Sequence, residues 1–107
     1  MEVHVMLPID GVLPTSKGDI YVALKDHVAS VSSIHISNGS GSSRTATVYV
    51  NLSGTSRAIT PVNMALAADA VAISEAPLEL FNGAKIEGVA SGSGVSFVIS
   101  GTVKKAI

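Results

Sequence analysis

The chain of 107 residues has no cysteine and no tryptophan, and only two tyrosines and two phenylalanines. Without cysteine, a disulfide framework and every thiolate zinc site are excluded. So few aromatics leave little to stack on nucleobases or sugar rings. Charged residues are only 14% of the total and the formal net charge is −1. That gives no basic surface for a nucleic acid, and no such partner is expected. No run reaches the ~18 apolar residues of a membrane helix, so no membrane partner is expected either. The start of the chain lacks a basic stretch followed by an apolar one, and synthesis in a cytoplasm is the expectation. The glycosylation sequons at Asn38 and Asn51 are read as chance on the same ground.

What the chain does have is alternation. Ala46, Val48, Val50 and Leu52 fall on one face of a strand, and Thr45, Thr47, Tyr49 and Asn51 on the other. This period of two marks a half-buried β-strand. Ile34 and Ile36 alternate with Ser33, His35 and Ser37 in the same way. Val31 is out of phase with Ile34, which predicts a bulge or a strand entry near Ser32. Between these strands, Asn38 to Ser43 reads as a turn-rich linker with a mobile tip, and Asn38-Gly39 as its start. Ile34, Ile36, Val48 and Val50 are expected in the core.

The rest of the chain follows suit. Residues 2–6 alternate and predict a short first strand. Pro8, Gly11, Pro14 and Gly18 punctuate residues 7–18, which read as a loop or extended arm. Further strands are predicted over 19–24, 57–60, 70–74, 85–90 and 95–103. Turns are predicted at 25–27, 53–55, 82–83 and 91–94. One segment, residues 62–72, is alanine-rich and tempts a helix. It is short, follows Pro61 and lies between strand patterns, so a loop leading into a strand is preferred.

Seven to eight short strands with turns between them predict an all-β fold. The expectation is a single-domain antiparallel β-sandwich, jelly-roll-like, with residues 1–18 as an N-terminal strand and arm and 19–107 as the sandwich. With 47% apolar residues a core can form. Burial and the entropy of ordering nearly offset each other, so oligomerisation would help.

Chemistry is hard to find. The histidines are His4, His27 and His35, with no HExxH motif among them. Glu2 and His4 share a strand face that could hold a metal, but two solvated residues near a terminus is the preferred reading. No serine sits in GxSxG. Gly39-Ser40-Gly41 lacks the Lys-Ser/Thr of a phosphate loop, and Glu75, Glu79 and Glu87 lie on separate elements. No catalytic residue, cofactor or metal is predicted. The low charge and the wealth of Ser, Thr, Ala and Val suit packing against other chains.

The strand VSSIHISN, its Gly/Ser loop and RTATVYV, followed by Ala67-Ala68-Asp69, KIEGVAS and VSFVISGTV, resemble small β-sandwich virion proteins of tailed bacteriophages. The resemblance covers about residues 19–103 and departs at Leu24–His27. It implies a capsid decoration, or cement, protein on the exterior of the phage head, with no catalytic residues to carry over. The major capsid protein and the chain itself, as a homodimer or homotrimer, are the implied partners. Candidate contact residues are Glu2, Val3, His4 and Val5 in the arm, with His35, Tyr49 and Asn38. The alternative is a receptor- or glycan-binding module of a tail fibre or appendage.

Overall fold

A computed structural model describes residues 4–6, 9–75, 78–81 and 83–105. Glu2 and Val3 lie outside the described residues. The described strands are β1 (His4–Met6), β2 (Ile9–Val12), β3 (Gly18–Val22), β4 (His27–Asn38), β5 (Arg44–Asn51) and β6 (Ser56–Ala58). They continue with β7 (Met64–Leu66), β8 (Val71–Ser74), β9 (Leu78–Phe81), β10 (Lys85–Ala90) and β11 (Val95–Lys105). Every pairing is antiparallel.

The strands form two sheets. In the first, β11 and β4 are the long central pair. β1 and β2 share the outer edge of β11, and β9 and β8 share the outer edge of β4. In the second, β3, β10 and β5 run side by side, and β6 and β7 share the far edge of β5. Eleven strand segments thus fill eight columns, four per sheet, which reconciles them with the seven or eight strands read from the turn signals. The chain crosses between sheets at each end, in the jelly-roll-like wrapping of an eight-column sandwich.

The core lies between the sheets. β4 and β11 send Ile34, Ile36, Val95, Phe97 and Ile99 inward, and β5 and β10 send Val48, Val50, Ile86 and Ala90 to meet them. The strand phases read from the sequence explain this directly. Of the two readings of the broken phase, the bulge is the one observed: Ser100 pairs with Ser33 and Gly101 with Val31, leaving Ser32 out of the register, with its hydroxyl donating to the Ser100 carbonyl at 3.1 Å. The extra residue lets both Val31 and Ile34 face the core.

Several local expectations need correction. Residues 9–12 are a strand rather than loop, and Leu13 just after them is buried in the core. Gly11 fits inside this strand because it faces the Phe97 ring, where a Cβ would stand 3.2 Å from two ring carbons. In the alanine-rich segment, Asn63 and Asp69 take the left-handed backbone conformation, at φ 53° and 61°. Two such residues stop any helix and isolate β7 between them. Leu52 is exposed, at the turn after β5, and Thr47 is buried although it lies on the outward phase. The reason for Thr47 is a loop that covers it, with the Asn63 N–H donating to its Oγ1 at 2.8 Å.

Candidate protein interface

The two outer faces of the sandwich differ in chemistry. On the second sheet, pairing register aligns Asp19, Glu87, Tyr49 and Ala58 in one row and Val22, Lys85, Asn51 and Ser56 in the next. Its polar groups are satisfied locally. Lys85 pairs with Asp19 at 3.5 Å, the Ser56 hydroxyl donates to the Glu87 carboxylate, and the Lys17 ammonium sits 4.2 Å over the Tyr49 ring. Beneath this sheet, burial raises the Tyr21 hydroxyl above its ordinary value of 10.0.

The outer face of the first sheet is close to neutral. Register aligns Asp10, Val98, His35 and Ile73 across four columns, and Val12, Ser96, Ser37 and Val71 in the neighbouring row. Val12, Val71, Ile73 and Val98 are large apolar side chains left exposed, at 66%, 59%, 54% and 40%. Ser37 and Ser96 bond each other across the strands at 2.8 Å, which leaves this part of the face flat. His35 stands at the centre, between Val98 and Ile73. Its Nδ1 is buried and, among the described residues, has no hydrogen-bond partner.

Below the central pair Ser33–Ser100, the same face dips. A hollow of about 380 Å³ is lined by Ser30, Ser32, Glu79, Ser100, Gly101 and Thr102, among others. It lies beside the bulge, where the short side chains of Ser30, Ser32 and Ser100 face outward. The last row runs from His4 and Lys104 to Val28 and Phe81, apolar only at its far end, with Phe81 54% exposed.

The sequence-predicted contact residues do not form one site. His35 is on the first sheet's face. His4 and Val5 lie in β1 on the edge column of that sheet, opposite Lys104 and Val103. Tyr49 is on the opposite sheet. Asn38 is a correction: it is 1% exposed and structural. Its Nδ2 donates to the carbonyls of Ser42, Leu66 and Ala67 at 2.7, 3.1 and 3.2 Å. Its Oδ1 accepts from the Ser40 N–H and hydroxyl at 3.1 and 2.7 Å. These bonds lace the 39–43 linker, which was expected to be mobile, to the 66–70 turn. The positive φ of that linker falls at Gly41 rather than at Asn38-Gly39.

Sequence reasoning missed Val12, Val71 and Ile73 as contact candidates. Val98 carried a visible signal, an apolar residue in the serine phase of its strand. The other hollows, near Met64, Arg44 and Leu52, bring together no acid, base and nucleophile. Among the described residues, no three His, Asp or Glu side chains gather as metal ligands.

No protein-family model matches the chain, and no curated protein matches it. Solved structures do. A subunit of the Bacillus endospore appendages, described as disulfide-linked pili, matches with a TM-score of 0.58 at 14% identity, over 99% of this chain and 88% of that one. A chain of the IBDV viral particle matches with a TM-score of 0.56 at 13% identity, over 96% of this chain. A chain of the infectious bursal disease virus subviral particle gives 0.52 at 13% identity, again over 96%. This chain spans only 30% and 32% of those two viral chains. At such identities the likeness shows the fold alone: this β-sandwich is an architecture found in a pilus subunit and in chains of viral and subviral particles.

Proposed function

We propose that this chain is a non-enzymatic structural protein that works as a repeated subunit, on the exterior of a virion, in the manner of a capsid decoration protein. The observation that carries the reading is the contrast between the two outer faces. One carries paired charges and a single exposed valine, Val22; the other is close to neutral, with exposed apolar side chains from three of its four columns set in register around His35. Such a surface is suited to burial against protein. The shared fold with capsid chains supports a shell component, and the resemblance to phage virion β-sandwich proteins supports attachment to a major capsid protein after synthesis in the host cytoplasm.

A second reading is favoured by one observation. The pilus subunit matches along nearly its whole length, whereas the viral chains are three times longer. A filament subunit is therefore the competing assembly. This chain has no cysteine, so a filament built from it would lack the disulfide links of those pili. A glycan-binding role has less behind it: Phe97 is in the core, Lys17 covers Tyr49, and no two aromatics stand together on a face.

The test is co-sedimentation of the purified chain with the particles produced alongside it. Saturable binding at a fixed copy ratio to the shell is expected. Spontaneous growth of the chain alone into filaments, without shell binding, would favour the second reading and overturn the first.

A further inference from the structure

We propose that the outer face of the first sheet docks against the same face of a second copy of this chain, about a two-fold axis crossing the strands at Ser33 and Ser100. This deepens the structural-subunit reading by naming one partner.

The face carries its own complement. The ridge of Val98, His35 and Ile73 stands one row to one side of the Ser33–Ser100 pair. The hollow row of Thr102, Ser30 and Glu79 lies one row to the other side. Each step is two residues, about 7 Å. A two-fold axis across the strands at the serine row therefore lays each ridge over the other copy's hollow, twice and identically. This is the self-complementary geometry of an isologous dimer.

The chemistry agrees with that superposition. Ile73 and His35 of one copy come over Glu79 and Ser30 of the other. The Glu79 carboxylate then lies over Ile73, one column from the other copy's His35 and away from the second Glu79. Val71 comes over Phe81, joining the apolar ends of the two faces. β11 pairs with β4 along eleven residues, about 36 Å, and four columns span about 19 Å. The flat footprint of the face is at most about 700 Å² per copy, below the ~800 Å² per partner of a standard interface, which suits a dimer of modest affinity.

The experiment is analytical ultracentrifugation of the full chain from about 1 to 200 μM, with circular dichroism to confirm folding. Wild type is expected to dimerise in this range. Ile73→Glu sets a carboxylate over Glu79 and is expected to weaken the dimer at least tenfold, about 1.4 kcal/mol. Adding Glu79→Lys to that variant is expected to restore it, because the new pair is opposite in charge. Val22→Asp, on the other sheet, is expected to leave the dimer intact. A wild-type monomer at 200 μM, or an Ile73→Glu variant that dimerises as well as wild type, overturns the proposal. If the monomer still binds shells and Ile73→Glu abolishes that binding, the face serves a foreign protein: self-docking is refuted while the structural-subunit reading stands.

Discussion

Replacing Asn38 by alanine removes five hydrogen bonds that tie the 39–43 linker to the 66–70 turn. The acceptor on Leu66 is buried, so water replaces the lost donor there only in part, while the exposed Ser42 carbonyl keeps the Ser40 hydroxyl as a donor. A buried group left unpaired costs ~1–3 kcal/mol, and Ala67 lies at an exposed position where hydration recovers some of its loss. The combined cost is about 2–4 kcal/mol. For a domain of this size that is a fall of roughly 10–15 °C in Tm, read by calorimetry. Asn38→Asp sharpens the test. Near pH 7 its carboxylate would face three carbonyl oxygens, so its pKa in the folded state is raised above the ordinary ~3.9. Stability is then retained where the carboxyl is protonated and lost as pH rises through the raised value. The deficit against wild type is expected to be larger near pH 7 than near pH 4. An Asn38→Ala variant within ~0.5 kcal/mol of wild type, or an Asp deficit that does not shrink in acid, would refute the internal role and return Asn38 to the list of contact residues.

Other outcomes follow from the same coordinates. Gly101→Ala would place a Cβ 2.1 Å from the Ser30 carbonyl oxygen and 2.9 Å from the Val31 Cα. Both are backbone, so the bulge must shift, and denaturant unfolding should show a loss of ~1–3 kcal/mol or more. An unchanged midpoint would mean the bulge is not as close-packed as described. Burial raises the Tyr21 hydroxyl, so its neutral form is favoured by folding. That contribution is complete below about pH 10 and lost as pH climbs through the raised value. Tyr21→Phe is expected to lose less stability than wild type over this alkaline range, and identical alkaline profiles would contradict the assignment.

How much of this was legible in the sequence depends on how local each determinant is. The long strands declared themselves because six or more residues of alternation fix a face. The phase error between Val31 and Ile34 was legible for the same reason, but only pairing with β11 separates a bulge from a strand entry there. β2 and β7 were not, since three or four residues carry too little periodicity and their Pro and Gly neighbours read as breaks. Residues 9–12 form a strand because β11 offers an edge to pair with, a partner some ninety positions away. Asn38 misled for a related reason. Its dipeptide has turn chemistry, but its side-chain partners include Leu66 and Ala67, about thirty residues on. Thr47 looked outward by phase and is covered by a loop whose path no alternation predicts. The candidate interface was the least legible part. Val12, Val71, Ile73 and Val98 form a patch only through the register of four strands, and His35 alone among the expected contact residues lies in its middle.

The central claim is that this β-sandwich is a structural subunit held in place by a broad protein surface. Electron cryo-microscopy of the particles or filaments that contain the chain tests it most directly. The account predicts repeated density for the sandwich on the outside of a shell, with the face bearing Val98, His35 and Ile73 buried against protein. A sandwich absent from every assembly, or one attached with that face open to solvent, would contradict it.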